Sequence, residues 1–155
     1  MKNEKILKAL SGKDVNSIIK DICGKKVSSG TYRDVYEVKG SKRYVIKVER
    51  NMSEGQFANV TEWRNYIDNK DWYLLKRYLV PCCAINETGQ VLIQRRVSQK
   101  GMTLKDMPKK IPNLFTDTKI ENWGLIDGEF VCCDYSFLRN VEFKMVKPKW
   151  WSLKD

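Results

Sequence analysis

Phe115-Thr116-Asp117-Thr118-Lys119-Ile120-Glu121-Asn122, followed by Cys133-Asp134-Tyr135-Ser136 with Asp134 twelve residues after Asn122, is the stretch on which the reading of this chain turns. An acid, a lysine and an amide share one loop, and a second acid ends the next hairpin strand. Carboxylate and amide oxygens are hard donors of the kind Mg²⁺ takes, and a lysine beside them can neutralise charge on a transferred phosphate. Taken alone, Asp-x-Lys-x-x-Asn is also an ordinary solvated turn. The rest of the chain has to decide.

Working outward, Trp123 to Ile126 and Phe130 to Cys133 read as a hairpin around Asp127-Gly128. Upstream, Cys82 to Ile85 and Val91 to Gln94 flank the turn Asn86-Glu87-Thr88-Gly89, and Val35 to Val38 and Arg43 to Val48 flank Lys39-Gly40-Ser41-Lys42. Between these two hairpins Ser53 to Asp68 reads as a helix, with a Ser53/Gln56 capping box and Phe57, Val60, Arg64 and Ile67 near one face. Trp72 to Tyr78 adds a helical piece before Pro81. Gln99 to Asn113 is loop with at most a short helix. At the start, Ile6, Leu7 and Leu10 form a stripe that Gly12 ends. Asp14 then caps a second helix with Val15, Ile18, Ile19 and Ile22 inward and Gly24 as terminator.

Composition removes several chemistries. The 155 residues contain no histidine, so no Ser-His, Cys-His or His-metal mechanism is open. Five cysteines include the vicinal pairs Cys82-Cys83 and Cys132-Cys133 but no Cys-x-x-Cys. Neighbours in a strand point to opposite faces, so buried thiols are expected rather than zinc or a bridge. No apolar run is long enough to span a bilayer and no signal-peptide core opens the chain, so a cytoplasmic, membrane-free protein is expected. The net charge of +10 favours polyanionic partners: nucleotide, nucleic acid or an acidic protein surface.

In order along the chain, these pieces resemble the protein-kinase fold from about Val27 to Ser136. Ser28-Ser29-Gly30-Thr31-Tyr32-Arg33-Asp34-Val35-Tyr36 resembles the glycine-rich loop over the ATP phosphates, which makes Gly30 and Val35 nucleotide contacts. Tyr44-Val45-Ile46-Lys47 resembles the Val-Ala-Ile-Lys strand, with Val45 as adenine roof and Lys47 on the phosphates. Glu62, in the following helix, corresponds to the glutamate that pairs with that lysine. Val91-Leu92-Ile93-Gln94-Arg95-Arg96-Val97 resembles the strand entering the hinge, where backbone groups at Gln94, Arg95 and Arg96 would read adenine. Asp117 corresponds to the catalytic base, Lys119 to the catalytic-loop lysine, and Asn122 and Asp134 to the Mg²⁺ ligands. Tyr66, Phe115 and Tyr135 match the family's apolar column.

The departures are also plain. Ser28 and Arg33 stand where the family has glycines, and Phe115-Thr116 replaces His-Arg. Little chain lies between Val97 and Asp117, or after Ser136, to build a helical lobe.

The resemblance implies an α+β, protein-kinase-like fold with an antiparallel five-stranded N-lobe, an αC-like helix and a strongly reduced C-lobe. Residues 1–26 would be a helical extension, 27–97 the N-lobe, and 98–155 the reduced C-lobe with its basic tail around Trp150-Trp151. It implies a minimal atypical kinase of phage or bacterial-effector type. Such a protein binds ATP and Mg²⁺ and transfers phosphate to a protein, a host partner or itself, in the host cytoplasm. The alternatives are a catalytically weak pseudokinase acting as a protein-binding module, and a basic nucleic-acid-binding protein.

Overall fold

The computed structural model describes residues 3–11, 14–50 and 57–154. The chain divides into two compact units, Met1–Trp63 with Pro81–Arg96, and Arg64–Val80 with Val97–Asp155. The fold is mixed α+β, with a five-stranded antiparallel sheet and three α-helices among the described residues.

In the first unit the alternation of apolar and polar residues sets up the sheet. Its strands are β1 (Cys23–Ser29), β2 (Arg33–Val38), β3 (Ser41–Glu49), β4 (Cys82–Ile85) and β5 (Val91–Arg95), in the order β1-β2-β3-β5-β4. Successive side chains point to opposite faces. One face carries Tyr36, Tyr44, Ile46, Val48, Val91 and Ile93, which cluster with Ile6 and Leu10 of α1 (Asn3–Leu10) and Ile18 and Ile22 of α2 (Val15–Ile22). The two N-terminal helices are therefore part of this unit's core. The other face carries Arg33, Val35, Val45, Lys47, Glu49 and Gln94. The rows are fixed by the pairs Val35↔Lys47 and Lys47↔Leu92, and by Glu37↔Val45 and Val45↔Gln94.

Several local expectations hold and others change. The Asp14 side chain caps α2 by accepting from the Ser17 N–H at 3.0 Å. The helix ends at Cys23 in extended geometry, and Gly24 lies inside β1 against the Glu37 carbonyl, so it is not the terminator. Leu7 is exposed, which narrows the α1 stripe to Ile6 and Leu10. Gly12 and the Ser53/Gln56 capping box lie outside the described residues.

The third helix, α3 (Ala58–Asn69), buries Ala58, Asn59 and Glu62, whereas Phe57 and Ile67 are exposed. The inward face is polar because α3 covers the sheet face that carries Arg33, Lys47 and Glu49, whose charges need partners. Gly89 closes the β4–β5 turn at φ 76, and a Cβ there would lie 2.3 Å from Val60 Cγ2. Only glycine fits both the conformation and the space.

In the second unit the residues from Trp72 to Tyr78 make turns and a single 3₁₀ turn, Lys76–Tyr78, where a helix was expected. Tyr78, Leu79 and Val80 are buried in succession, which a helix cannot do against one surface. The chain instead runs out extended, with the Val80 N–H donating to the Cys132 carbonyl at 3.1 Å. Two short pairs complete the unit: β6 (Ile111–Pro112) with β9 (Met145–Val146), and β7 (Trp123–Ile126) with β8 (Glu129–Cys132). The β7–β8 turn has positive φ at both Asp127 (51°) and Gly128 (81°), the geometry that suits a two-residue hairpin. Trp123 and Tyr135 are fully buried here, and the Tyr135 hydroxyl donates to the Val80 carbonyl at 2.5 Å.

Candidate functional site

Two groups of candidate residues emerge, one in each unit. In the first, β3 aims Lys47 away from the apolar core and α3 presents Glu62 from its inward face. Lys47 Nζ meets Glu62 Oε1 at 2.5 Å, and both side chains are almost wholly buried. Arg33 Nη2 reaches Glu62 Oε2 at 3.2 Å, while its Nη1 donates to Asn59 Oδ1 at 3.1 Å. Gln94 Nε2 donates to Glu62 Oε1 at 3.1 Å. Asn59 in turn donates its side-chain N–H groups to the carbonyls of Lys47 and Gln90, and its backbone N–H to Glu49 Oε1.

Burial pushes the Glu62 carboxyl up, but the charges of Arg33 and Lys47 outweigh it and hold the group below its ordinary value. Glu62 is thus ionised and shared between two cations. Two buried atoms, Glu49 Oε2 and Gln94 Oε1, have no partner among the described residues.

The remaining candidates of the first unit are placed as follows. Val35 is half-buried directly opposite Lys47, and Val45 is half-buried in the next row of the same face. Gly30 sits at the β1–β2 turn, where its N–H donates to the Arg33 carbonyl at 2.8 Å. Arg50 clamps that turn, donating to the Gly30 and Thr31 carbonyls and to Asp34. A Cβ on Gly30 would find ordinary contact at 3.6 Å, so the turn does not require glycine. The N–H groups of Arg95 and Arg96, the donors expected to read adenine, are bonded within the unit to the Pro81 and Arg43 carbonyls. The Arg96 guanidinium pairs with Glu37 at 3.1 Å.

In the second unit Asp117, Lys119 and Asn122 form one tight loop ending in the 3₁₀ turn Ile120–Asn122. Asp117 Oδ1 accepts from the Lys119 N–H at 3.1 Å and Oδ2 from Asn122 Nδ2 at 2.8 Å. The Asn122 carbonyl accepts from the Cys133 N–H at 2.8 Å, which sets Asp134 immediately beyond the loop. Asn65 of α3 donates to the Tyr135 carbonyl at 2.8 Å, fixing the chain after Asp134 from the other side. Asp117 and Asp134 are exposed and Asn122 is buried. Beneath the loop, Phe115 packs edge-on against Trp123 at 5.1 Å and Tyr78 at 6.3 Å.

Asn122 spends an amide hydrogen on Asp117 and keeps its Oδ1 as a hard oxygen that could face a metal, and the Asp134 carboxylate beyond the loop carries oxygens of the same kind. Two protein oxygens are a usual complement for Mg²⁺, which takes the rest of its shell from phosphate and water. Among the described residues no three histidine, cysteine or acidic side chains are gathered to hold a metal by themselves. Of the cysteines, Cys23, Cys82 and Cys132 are buried, Cys133 is half-buried and Cys83 faces outward.

Arg33 and Asn59 belong to the first group but were not among the expected site residues. Both left a signal. Arg33 precedes Val35 by two and so shares its face, and Asn59 precedes Glu62 by three and so shares its helical face.

Comparison with family models, curated proteins and solved structures gives no match to this chain. Among the described residues no helix is long and apolar enough to cross a membrane.

Proposed function

We propose that this chain is a minimal protein-kinase-like domain that binds Mg-ATP and transfers the γ-phosphoryl group to a protein. The observation that carries the reading is the buried ion pair of Lys47 with Glu62 at 2.5 Å, joining the third strand to the helix that follows it. Unpaired burial of either charge would be strongly unfavourable, so the pair keeps a lysine ready in a dry place. The sheet order with α3 inserted between β3 and β4 is in keeping with the same reading.

In this scheme Lys47 binds the phosphates and Glu62 orients Lys47. Asn122 and Asp134 would hold Mg²⁺, which when bound supplies positive charge to the phosphate oxygens. Asp117 takes the proton of the attacking hydroxyl; its two loop hydrogen bonds aim its oxygens. Lys119 places an ammonium beside the transferred group.

The test is a melting curve with millimolar Mg-ATP. At a ligand concentration 100 times Kd, binding adds about 2.7 kcal/mol, a rise of roughly 5–10 °C for a chain of this size. Lys47→Ala should abolish the rise, and transfer of labelled phosphate should be lost in Asp134→Asn. A wild-type melting curve unmoved by Mg-ATP would overturn nucleotide binding.

A second reading, a pseudokinase acting as a binding module, is favoured by Arg33. It shares Glu62 with Lys47, and the backbone donors of Arg95 and Arg96 are engaged within the sheet. Mg-ATP binding without any Asp134-dependent transfer would select it.

A further inference from the structure

The segment carrying Trp150 and Trp151 takes no part in the chemistry above, yet its contacts converge on the Asp117–Asn122 loop. Thr118 Oγ1 donates to the Lys149 carbonyl at 2.5 Å, and the Trp151 N–H donates to the Thr118 carbonyl at 3.3 Å. Ile120 N–H donates to the Trp151 carbonyl at 2.9 Å, so the two segments pair as a parallel bridge at Lys119 and Trp151. One residue on, Glu121 Oε1 accepts from Ser152 Oγ at 2.7 Å and from the Leu153 N–H at 3.0 Å. Burial pushes the Glu121 carboxyl up, but these bonds outweigh it and hold the group below its ordinary value. Every residue from Thr118 to Glu121 is therefore tied to this segment.

The two tryptophans do different things. Trp150 packs edge-on against Trp123 at 5.3 Å and donates Nε1 to the Pro108 carbonyl at 2.9 Å. That is anchoring. Trp151 is 46% exposed, so burial does not account for its place. Its ring has the Lys119 ammonium 5.9 Å from its centroid, within cation–π range.

We propose that Lys149–Leu153 is a built-in clamp on the Asp117–Asn122 loop and that Trp151 is the positioning residue for Lys119. The clamp stands on these contacts alone; its value for phosphoryl transfer rests on the kinase-like reading. A lysine side chain loses much rotamer freedom when fixed, and a flat π face near its loop restricts it without neutralising it. Lys119 thus keeps its full charge for an incoming phosphate while its position is already narrowed. A carboxylate in the place of Trp151 would hold the ammonium but cancel the charge it is there to offer.

The test reads Lys119 directly, without nucleotide. The protein is treated with a trace of an N-hydroxysuccinimide acetate, and acetylation of each lysine is timed by peptide mass spectrometry, with exposed Lys42 as internal reference. Trp151→Ala should raise the Lys119 rate relative to Lys42 by roughly two- to fivefold, the range a surface cation–π contact supports. Trp151→Phe should restore most of the protection, because an aromatic face remains. Amide exchange at Ile120 should quicken in Trp150→Ala, which loosens the anchor. An unchanged Lys119 rate in Trp151→Ala, or a rise shared equally by Lys42, overturns the proposal. Absence of an Mg-ATP melting shift, by contrast, would count against the kinase-like reading and leave the Lys119 result standing.

Discussion

The Lys47–Glu62–Arg33 cluster and the Asp117–Asn122 loop are both built from charged and amide side chains, but one is sealed and the other open. In the first, three ionised groups and their amide partners sit out of water between the sheet and α3. In the second, Asp117 and Asp134 face solvent and the loop is shaped by backbone hydrogen bonds together with the two that the Asp117 carboxylate accepts. A sealed charge is a structural commitment, since removing its partner strands it in a poor solvent. An exposed one can be changed with little effect on folding. The two groups should therefore separate cleanly when mutated: the first through stability, the second through ligand binding and chemistry.

The largest effect is expected at Glu62. Glu62→Gln keeps the volume but leaves Lys47 and Arg33 without their counter-charge, and should cost about 3–5 kcal/mol in denaturant unfolding. A loss below about 1 kcal/mol would mean that the cluster is wetter than its burial indicates, and the contrast would collapse. Acid sharpens the same point. Glu62 is held below its ordinary value of 4.5, so its contribution is present above that value and is lost as pH falls through the lower folded-state value. Wild-type stability should decline on acidification below about pH 4.5. The decline should be shallower in Arg33→Met, which removes one of the two cations that depress the group.

Next in size is Gly89→Ala. The left-handed φ of 76° and the 2.3 Å approach to Val60 both oppose a methyl group, for a loss of about 1–3 kcal/mol. The double variant Gly89→Ala/Val60→Ala relieves the contact but not the φ, so it should recover only part. In the second unit Tyr135→Phe removes a buried hydrogen bond to the Val80 carbonyl and should cost about 1–2 kcal/mol. Its ground is independent of the loop acids.

The hairpins were legible because alternation and turn glycine agree there: Gly40 and Gly89 take positive φ, as do Asp127 and Gly128. Lys47 and Glu62 were legible as a pair only through the resemblance of Tyr44-Val45-Ile46-Lys47 and the helix after it to the kinase pattern; the physical reason for the pair is that a buried lysine needs a counter-charge. What misled was apolarity as a guide to burial. Phe57 and Ile67 suggested α3's inner face, but the sheet's charges turned Asn59 and Glu62 inward and left those two side chains outside. Arg33 looked like a missing glycine and is a structural cation. The run from Trp72 to Val80 has helical composition, yet its consecutive buried residues forced an extended exit. The clamp proposed for the Asp117–Asn122 loop was the least visible, being made mostly by backbone groups that no side-chain pattern announces.

The smallest effect on stability, and the most informative, is expected at Asp134. Asp134→Asn is nearly isosteric and exposed, and the chain on either side of it is held by other groups: the Cys133 N–H donates to the Asn122 carbonyl and the Asn65 side chain donates to the Tyr135 carbonyl. Its melting temperature without ligand should match wild type, with a stability change within about 0.5 kcal/mol. Asp117→Asn should be nearly as mild, because one carbonyl oxygen remains to accept from the Lys119 N–H or Asn122. What should change is the response to metal. If Asp134 is a Mg²⁺ ligand, the melting shift produced by ATP should become indifferent to Mg²⁺ in Asp134→Asn and stay Mg²⁺-dependent in Asp117→Asn. A metal response preserved in Asp134→Asn would remove Asp134 from the metal site. A large unliganded loss of stability in that variant would show that the open group is as structural as the sealed one, and the division of labour between the two would be gone.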